Sequence, residues 1–443
     1  MGRITPWLAA RWIQLTCLGA TAAAAGLAYL LRGWLTPRGV AVVGALCFLG
    51  LCLALSRDPR RIQWRTVGFG LALQLGLALL VFETQLGRDI FRWLGDGVRQ
   101  FLEFTDAGSR FVFGVLAQPE AMEQAFGAGR GFVFAFRALP TIIFVAAFFA
   151  GLYHLGVLQW IVRGMARGML VLMRVSGAES LNAAANVFMG QTEAPLMVRP
   201  YIERMTRSEV LALMIAGLGT LSAGIIAVYI DLGVSAEALL AAAVMSAPAS
   251  LVVAKILLPE QVRPQTAGRV AVTVERSHAN LFDAISHGAG DGLKLALNVA
   301  AMLIAFLALI AMVDALLGLL GTDLSQLFGW VFSPLAFLMG IAPGDQLAVG
   351  DLLGTKLVAN EFVGYLGLTR YLEAGELAER SGLIATFALA GFANLSSLGI
   401  QIGGIGGLVP ARRSDLAELS LLALAGGSLV TLFNAAVAGI LLA

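Results

Sequence analysis

Long apolar runs with little alternation dominate the chain. Stretches near 12–35, 39–56 and 66–83 are followed by a mixed segment, 86–130, and then by apolar sequence again from "GFVFAFRALPTIIFVAAFFAGLYHLGVLQWIV" onward. Further runs fall at 208–232, 236–258, 290–316, 327–343, 380–400 and 417–442. Runs of about 20 residues match the hydrocarbon thickness of a bilayer as helices, whereas membrane strands alternate over about 10 residues. Lipid offers unpaired backbone groups no partner, so the pattern predicts an all-α polytopic membrane protein. The mixed segment, with "LGRDIFRWLGDGVRQFLEF", has a polar and an apolar helical face and predicts an interfacial helix.

Two segments, 178–202 and 351–367, are too polar and too broken to span lipid alone. Each carries a glutamate, Glu193 and Glu361, and each precedes a helix with a soft centre, "GLGTLSAGIIAVY" and "GFANLSSLGIQIGGIGG". A short broken segment followed by an interruptible helix, found twice, points to a secondary transporter built from inverted repeats.

Composition sharpens this. The 443 residues are 58% hydrophobic and 13% charged, with a mean hydropathy of +0.84; soluble domains carry about 25% charged residues. The net charge of +2 gives no reason to expect nucleic acid as a partner. Cys17, Cys47 and Cys52 form no CxxC pair, and His154, His278 and His287 are scattered, so a metal centre is not expected. GxxxxGK[ST], HExxH and GxSxG are absent, which argues against a P-loop pump and an intramembrane hydrolase. The chain is read as no enzyme, with no cofactor. Arg57, Arg60, Arg61 and Arg65 mark one cytoplasmic loop, and Arg412 and Arg413 another. "ATAAAAG" resembles a leader cleavage site, but the apolar run continues through "GLAYLL", so Trp12–Leu31 is read as a retained helix.

An ionisable residue at membrane depth is costly and therefore a functional candidate. Glu193 has Asn186, Gln191 and Thr192 beside it. A carboxylate accepts two hydroxyl hydrogens from a ribose-like diol, and an amide offers a donor and an acceptor to a nucleobase edge. A cation is a further possibility, with side-chain oxygens from Asn186 and Thr220 and carbonyls from Met189 and Leu221. Singly, Thr220 or Ser397 reads equally as a bridge between helices. Asp291 and Lys294 read as a pair on one helix face, and Lys356 as an interfacial side chain snorkelling outward.

"NVFMGQTEAPLMVRPYI", "SAPASLVVAKILLPE", "LALNVAAMLIAFLALIAM", "KLVANEFVGYL" and "GFANLSSLGIQIGGIGGLVPARRSDLA" together resemble the concentrative nucleoside transporter family over roughly residues 37–443. The resemblance implies a scaffold of peripheral helices and a transport core with two re-entrant hairpins and two unwound helices. It implies a homotrimer in the cell membrane, and elevator-type symport of a nucleoside with sodium, or with protons in some members. Gln191, Thr192 and Glu193 would meet the nucleobase, with Ile225 and Leu293 lining it, and Phe392 would be a further substrate contact. Glu361, Asn394 and Ser397 would hold the ribose. Sodium would take Asn186 and Thr220 side chains and the Met189 and Leu221 carbonyls.

Met189 and Ile225 depart from the family's usual residues. Asp291 and Gln401 are unexplained by it. The first helix is extra, so nine passages are expected.

The expected divisions are 1–36, the extra helix; 37–130, scaffold and interfacial helices; 131–260, the first core half with hairpin 178–202 and unwound helix 208–232; 261–290, a loop and interfacial helix; and 291–443, the second core half with hairpin 345–367 and unwound helix 380–403. Two alternatives stay open: a proton symporter using Glu193 or Glu361, and a nucleoside-binding sensor without transport.

Overall fold

The computed structural model describes residues 4–127, 131, 133–269 and 278–442. The N-terminal helices are α1 (Ile4–Leu30), α2 (Pro37–Ala54), α3 (Trp64–Glu83), α4 (Gln85–Phe113) and α5 (Pro119–Phe126). Next come α6 (Phe134–His154), α7 (Val157–Met173), α8 (Gly177–Ala185), α9 (Arg199–Ile202), α10 (Arg207–Leu218), α11 (Ala223–Asp231) and α12 (Ala236–Leu257). The rest are α13 (Leu281–Gly318), α14 (Leu324–Leu338), α15 (Gln346–Val358), α16 (Glu361–Glu373), α17 (Glu379–Leu389), α18 (Leu395–Leu408) and α19 (Arg413–Leu441). No strand occurs among the described residues, only the isolated bridge Ser176–Ala267.

Eight helical stretches among these residues are long and apolar enough to cross a membrane, one of them the broken pair α10–α11. The similarly broken pair α17–α18 is not among the eight, since each half is too short on its own. Burial separates core from periphery. The apolar windows of α10–α11 and α12 are 83% and 89% buried, those of α13 and α1 only 11% and 6%. The outer helices α6 and α13 pack along each other, and α1 lies on α2.

Each half of the core is a hairpin, a broken helix and a long helix. The first hairpin is α8, a non-helical tip over 186–193, and a return arm made of a tight turn (Ala194–Val198) and α9. Pro195 and Pro200 lie in that arm, remove two backbone donors and keep it from forming a regular α-helix. The second hairpin, α15 and α16, has no proline and needs only Ala359 and Asn360 to turn. Three helix starts at the breaks and the second tip carry side-chain caps, which satisfy amides where water is scarce. Ser222 accepts from the Ile225 amide (3.4 Å), Asn360 from Val363 (3.0 Å) and Asn394 from Ser397 (2.9 Å).

One apolar run gains a boundary and two expectations change. The apolar run after residue 133 divides in two, because Gly156, at φ +80°, ends α6 and starts α7. α13 is one 38-residue helix from Leu281, so the boundary drawn at 290 falls inside it; the preceding 270–277 lie outside the described residues. Lys356 does not snorkel outward. It is 4% exposed, and its Nζ donates to the Ala388 carbonyl (2.8 Å) and Thr431 Oγ1 (3.0 Å).

Candidate functional site

The two chain breaks, 219–222 and 390–394, touch. The Phe392 amide donates to the Thr220 carbonyl (3.2 Å). A Cβ on Gly391 would come within 2.8 Å of the Leu218 carbonyl oxygen, so the approach requires glycine there. The first hairpin tip joins the same crossing, since the Ala223 amide donates to the Phe188 carbonyl (3.1 Å).

A chain of side-chain hydrogen bonds runs through this crossing. Gln191 Nε2, on the first tip, donates to Ser397 Oγ (3.1 Å) at the start of α18. The Ser397 amide donates to Asn394 Oδ1 (2.9 Å), and Asn394 Nδ2 donates to Glu361 Oε2 (2.9 Å) on the second tip. Tyr229 Oη, on α11, donates to Glu361 Oε1 (3.2 Å). Four segments far apart in sequence thus meet at two amides, a hydroxyl, a phenol and a carboxylate, all buried. Charge-assisted bonds of this kind are the stronger ones, and a carboxylate's two oxygens have about four acceptor sites in all. Glu361 therefore keeps acceptor capacity beyond Asn394 and Tyr229.

Around this chain Ile225 is buried and Phe392 half-buried. Thr192 and Glu193 are exposed on the first tip, where Glu193 Oε2 accepts from the Gly190 amide (3.5 Å). Leu293 is not brought in; it stands 48% exposed on α13. Asp291 pairs with Lys294 (3.2 Å) and His287 (3.1 Å) on the same helix and acts electrostatically on Glu193.

The sequence reading missed Tyr229. It lies one helical turn after Ile225, and its ring packs at a tilt against Tyr365 (centroids 4.1 Å apart) and meets Phe362 (5.5 Å). Sequence offers only that spacing as a signal. Gln401, unexplained by sequence, is fully buried and donates from Nε2 to the Met214 carbonyl (3.1 Å).

The residues suited to a cation lie on the first tip and the first break. Asn186, Thr220 and Leu221 are each 1% exposed. Asn186 Nδ2 donates to the Asn182 carbonyl (2.9 Å), and its Oδ1 has no donor among the described residues. Thr220 Oγ1 gives its hydrogen to the Ala216 carbonyl (2.8 Å), which leaves its lone pairs unused. A hard cation takes oxygen ligands of these kinds. Asn182 Oδ1, Gln191 Oε1 and Gln401 Oε1 are also buried with no donor among the described residues.

Three family profiles match. Residues 43–116 fit the Na+ dependent nucleoside transporter N-terminus, 135–236 a nucleoside recognition domain and 238–439 the Na+ dependent nucleoside transporter C-terminus. Sodium/nucleoside cotransporter 1 of Mus musculus is 41% identical, over 95% of this chain and 67% of its own length. The Homo sapiens protein of that name is 40% identical over 91% and 63%. The chain thus spans about two thirds of these mammalian relatives. An uncharacterized transporter of Haemophilus influenzae is 39% identical over 90% of this chain and 96% of its own. The solved structure of CNTnw in an inward-facing substrate-bound state superposes with a TM-score of 0.87 at 39% identity, covering 91% of this chain and 97% of that one. Variants of CNTnw have been solved in outward-facing and intermediate states, also at a TM-score of 0.87.

Proposed function

The chain belongs to the concentrative nucleoside transporter family, and on that premise we propose that it is a sodium-coupled symporter that carries nucleosides into the cell. It is a multi-pass membrane transporter, not an enzyme. Gln191, Thr192 and Glu193 are assigned to the nucleobase, Ile225 and Phe392 to its apolar walls. Glu361, Asn394 and Ser397 are assigned to the ribose hydroxyls. Asn186 and Thr220 side chains, with the Met189 and Leu221 carbonyls, are assigned to sodium.

The observation that carries the reading is the hydrogen-bonded chain from Gln191 through Ser397 and Asn394 to Glu361. It puts acceptor and donor groups for a diol and for an amide-like base edge in one buried place, and the orphan Asn186 oxygen lies on the same tip. Coupling follows from that shared tip. An ion that orders residues 186–193 removes part of the ordering cost that a nucleoside would otherwise bear.

Alternating access by an elevator movement of the core is part of the reading, supported by the outward-facing, intermediate and inward-facing structures of CNTnw. Assembly as a homotrimer around the thinly covered periphery is part of it too.

The test is uptake of radiolabelled uridine into proteoliposomes under an inward sodium gradient, then with potassium at equal pH. Uptake with sodium alone is expected. Uptake in both, raised by an inward proton gradient, would move coupling from Asn186 and Thr220 to a carboxylate. Binding without uptake in either would make the protein a sensor.

A further inference from the structure

Lys356 belongs to no role assigned above, yet it places an amine in the middle of the second core half. It sits in the last turn of α15, the outgoing arm of the second hairpin. Its Nζ bridges the Ala388 carbonyl, one residue before α17 ends, and Thr431 Oγ1 of α19. Thr431 gives its own hydrogen to the Ser428 carbonyl (3.1 Å), so its oxygen accepts from the amine. Glu361, the acid of the candidate site, is within electrostatic reach.

The first half has the same parts in the same order. Asn186 directly follows α8, the outgoing arm of the first hairpin, and α10 ends at the matching break. There carbonyls of the last two turns of α10 meet neutral partners. Leu213 accepts from Asn182 Nδ2 (3.3 Å), Met214 from Gln401 Nε2 (3.1 Å) and Ala216 from Thr220 Oγ1 (2.8 Å). The C-terminal end of a helix carries partial negative charge and favours a cation. At the first break nothing in the chain supplies one among the described residues, and amide oxygens are left without donors. At the second, an amine comes with the chain.

We infer that Lys356 is a tethered cation that does for the second hairpin what the coupling ion does for the first. It docks α15 on the end of α17 and balances Glu361, so the second hairpin is closed on the core whatever the ion concentration. Only the first hairpin then responds to sodium. Lys356 is a positioning residue for Glu361, not a ligand of substrate. The inference rests on the symporter reading for its ion, and not for its geometry.

The experiment uses the full chain with Cys17, Cys47 and Cys52 replaced by serine, and a single reporter at one tip, Gly190→Cys or Ala359→Cys, labelled with a maleimide. With Lys356 in place, sodium should slow labelling at Gly190→Cys by at least about fivefold and leave Ala359→Cys unchanged. Equal sodium sensitivity at both tips overturns the inference, and this arm needs no variant of Lys356. Lys356→Ala should speed labelling at Ala359→Cys, and sodium or ethylammonium should slow it again. Lys356→Gln, which keeps donors without charge, should behave as the alanine variant does before rescue. Labelling of the folded glutamine variant at the wild-type rate would mean that the charge does nothing, which also overturns it.

Sodium titration of uridine binding adds a second readout. The slope should steepen from about one ion to about two in Lys356→Ala, and an unchanged slope counts against the inference. If the protein with Lys356 intact binds no uridine in sodium, the symporter reading fails, while the labelling arms still decide the role of Lys356.

Discussion

At the first hairpin the chain needs eight non-helical residues, 186–193, and a return arm interrupted by Pro195 and Pro200. At the second, two helices of 13 residues each meet across Ala359 and Asn360. The first break is lined by neutral amides and a hydroxyl, with four buried amide oxygens lacking donors among the described residues. The second is lined by Lys356, Tyr365 and Tyr229, and Tyr365 Oη donates to the Thr386 carbonyl (2.8 Å). One topology therefore carries two electrostatic solutions. Where a tip lacks regular hydrogen bonds and leaves acceptors open, an added ligand changes its order most. Where partners are built in, the tip is a fixed wall. On the proposed reading, mobility and ion response belong to the first half, and rigid hydroxyl recognition to the second.

The largest expected effect comes from removing the charge of the fixed wall. Hydrogen bonds to charged groups are worth about 1.5–3 kcal/mol each, so Glu361→Gln should weaken uridine binding by about 100-fold or more. Isothermal titration reads this, and a loss under threefold would remove Glu361 from the site.

On the mobile side, Thr220→Ala takes away one oxygen ligand worth about 1.4 kcal/mol, which raises the half-maximal sodium concentration about tenfold. Sodium titration of uridine binding at saturating nucleoside checks it; an unaltered midpoint would place the ion elsewhere.

At the crossing that joins the halves, Gly391→Ala drives a methyl to 2.8 Å from the Leu218 carbonyl oxygen and 2.7 Å from Thr431 Cγ2. Overpacking of that kind costs about 1–3 kcal/mol, so the detergent-solubilised protein should unfold at a clearly lower temperature. An unchanged melting profile would mean that the breaks can separate freely.

Tyr229→Phe deletes one neutral donor to Glu361, worth about 0.5–1.5 kcal/mol, and should weaken uridine binding between about twofold and tenfold. The smallest effect is expected at the exposed Asp291 pairs. Such pairs contribute about 0.2–1 kcal/mol, so Asp291→Asn should change uptake by less than about fivefold. A larger loss would bring α13 into the site and reopen the assignment of Leu293.

Several of these features can be read from the sequence because they rest on local chemistry. Pro195 in an apolar run, Gly219 beside Thr220 and Gly391 near Asn394 each weaken a helix by their own covalent structure, and Glu193 and Glu361 stand out as charges in apolar surroundings. Other features depend on what arrives from elsewhere in the chain. Lys356 beside a polar segment reads as snorkelling, and only the placement of Ala388 and Thr431 turns it inward. Tyr229 is an aromatic in an apolar helix until Glu361 is set against it. Gln401 interrupts a glycine-rich run for no visible reason until Met214 is found opposite. The split at Gly156 is short-range, but an apolar run hides it because both sides have the same composition.

The crossing also has a consequence for how the protein is made. Gln401 reaches Met214 across 187 residues, and Gln191 reaches Ser397 across 206. At about 5–20 residues per second, a ribosome needs roughly ten to forty seconds to supply those partners. Over that interval the first hairpin is already synthesised, with Gln191 lacking Ser397, in a membrane that penalises open polar groups. A chain arrested before residue 390 should therefore be retained by membrane chaperones and cut by proteases within its first hairpin, while the complete chain is resistant. Assembly would then begin in the stretch that is made last.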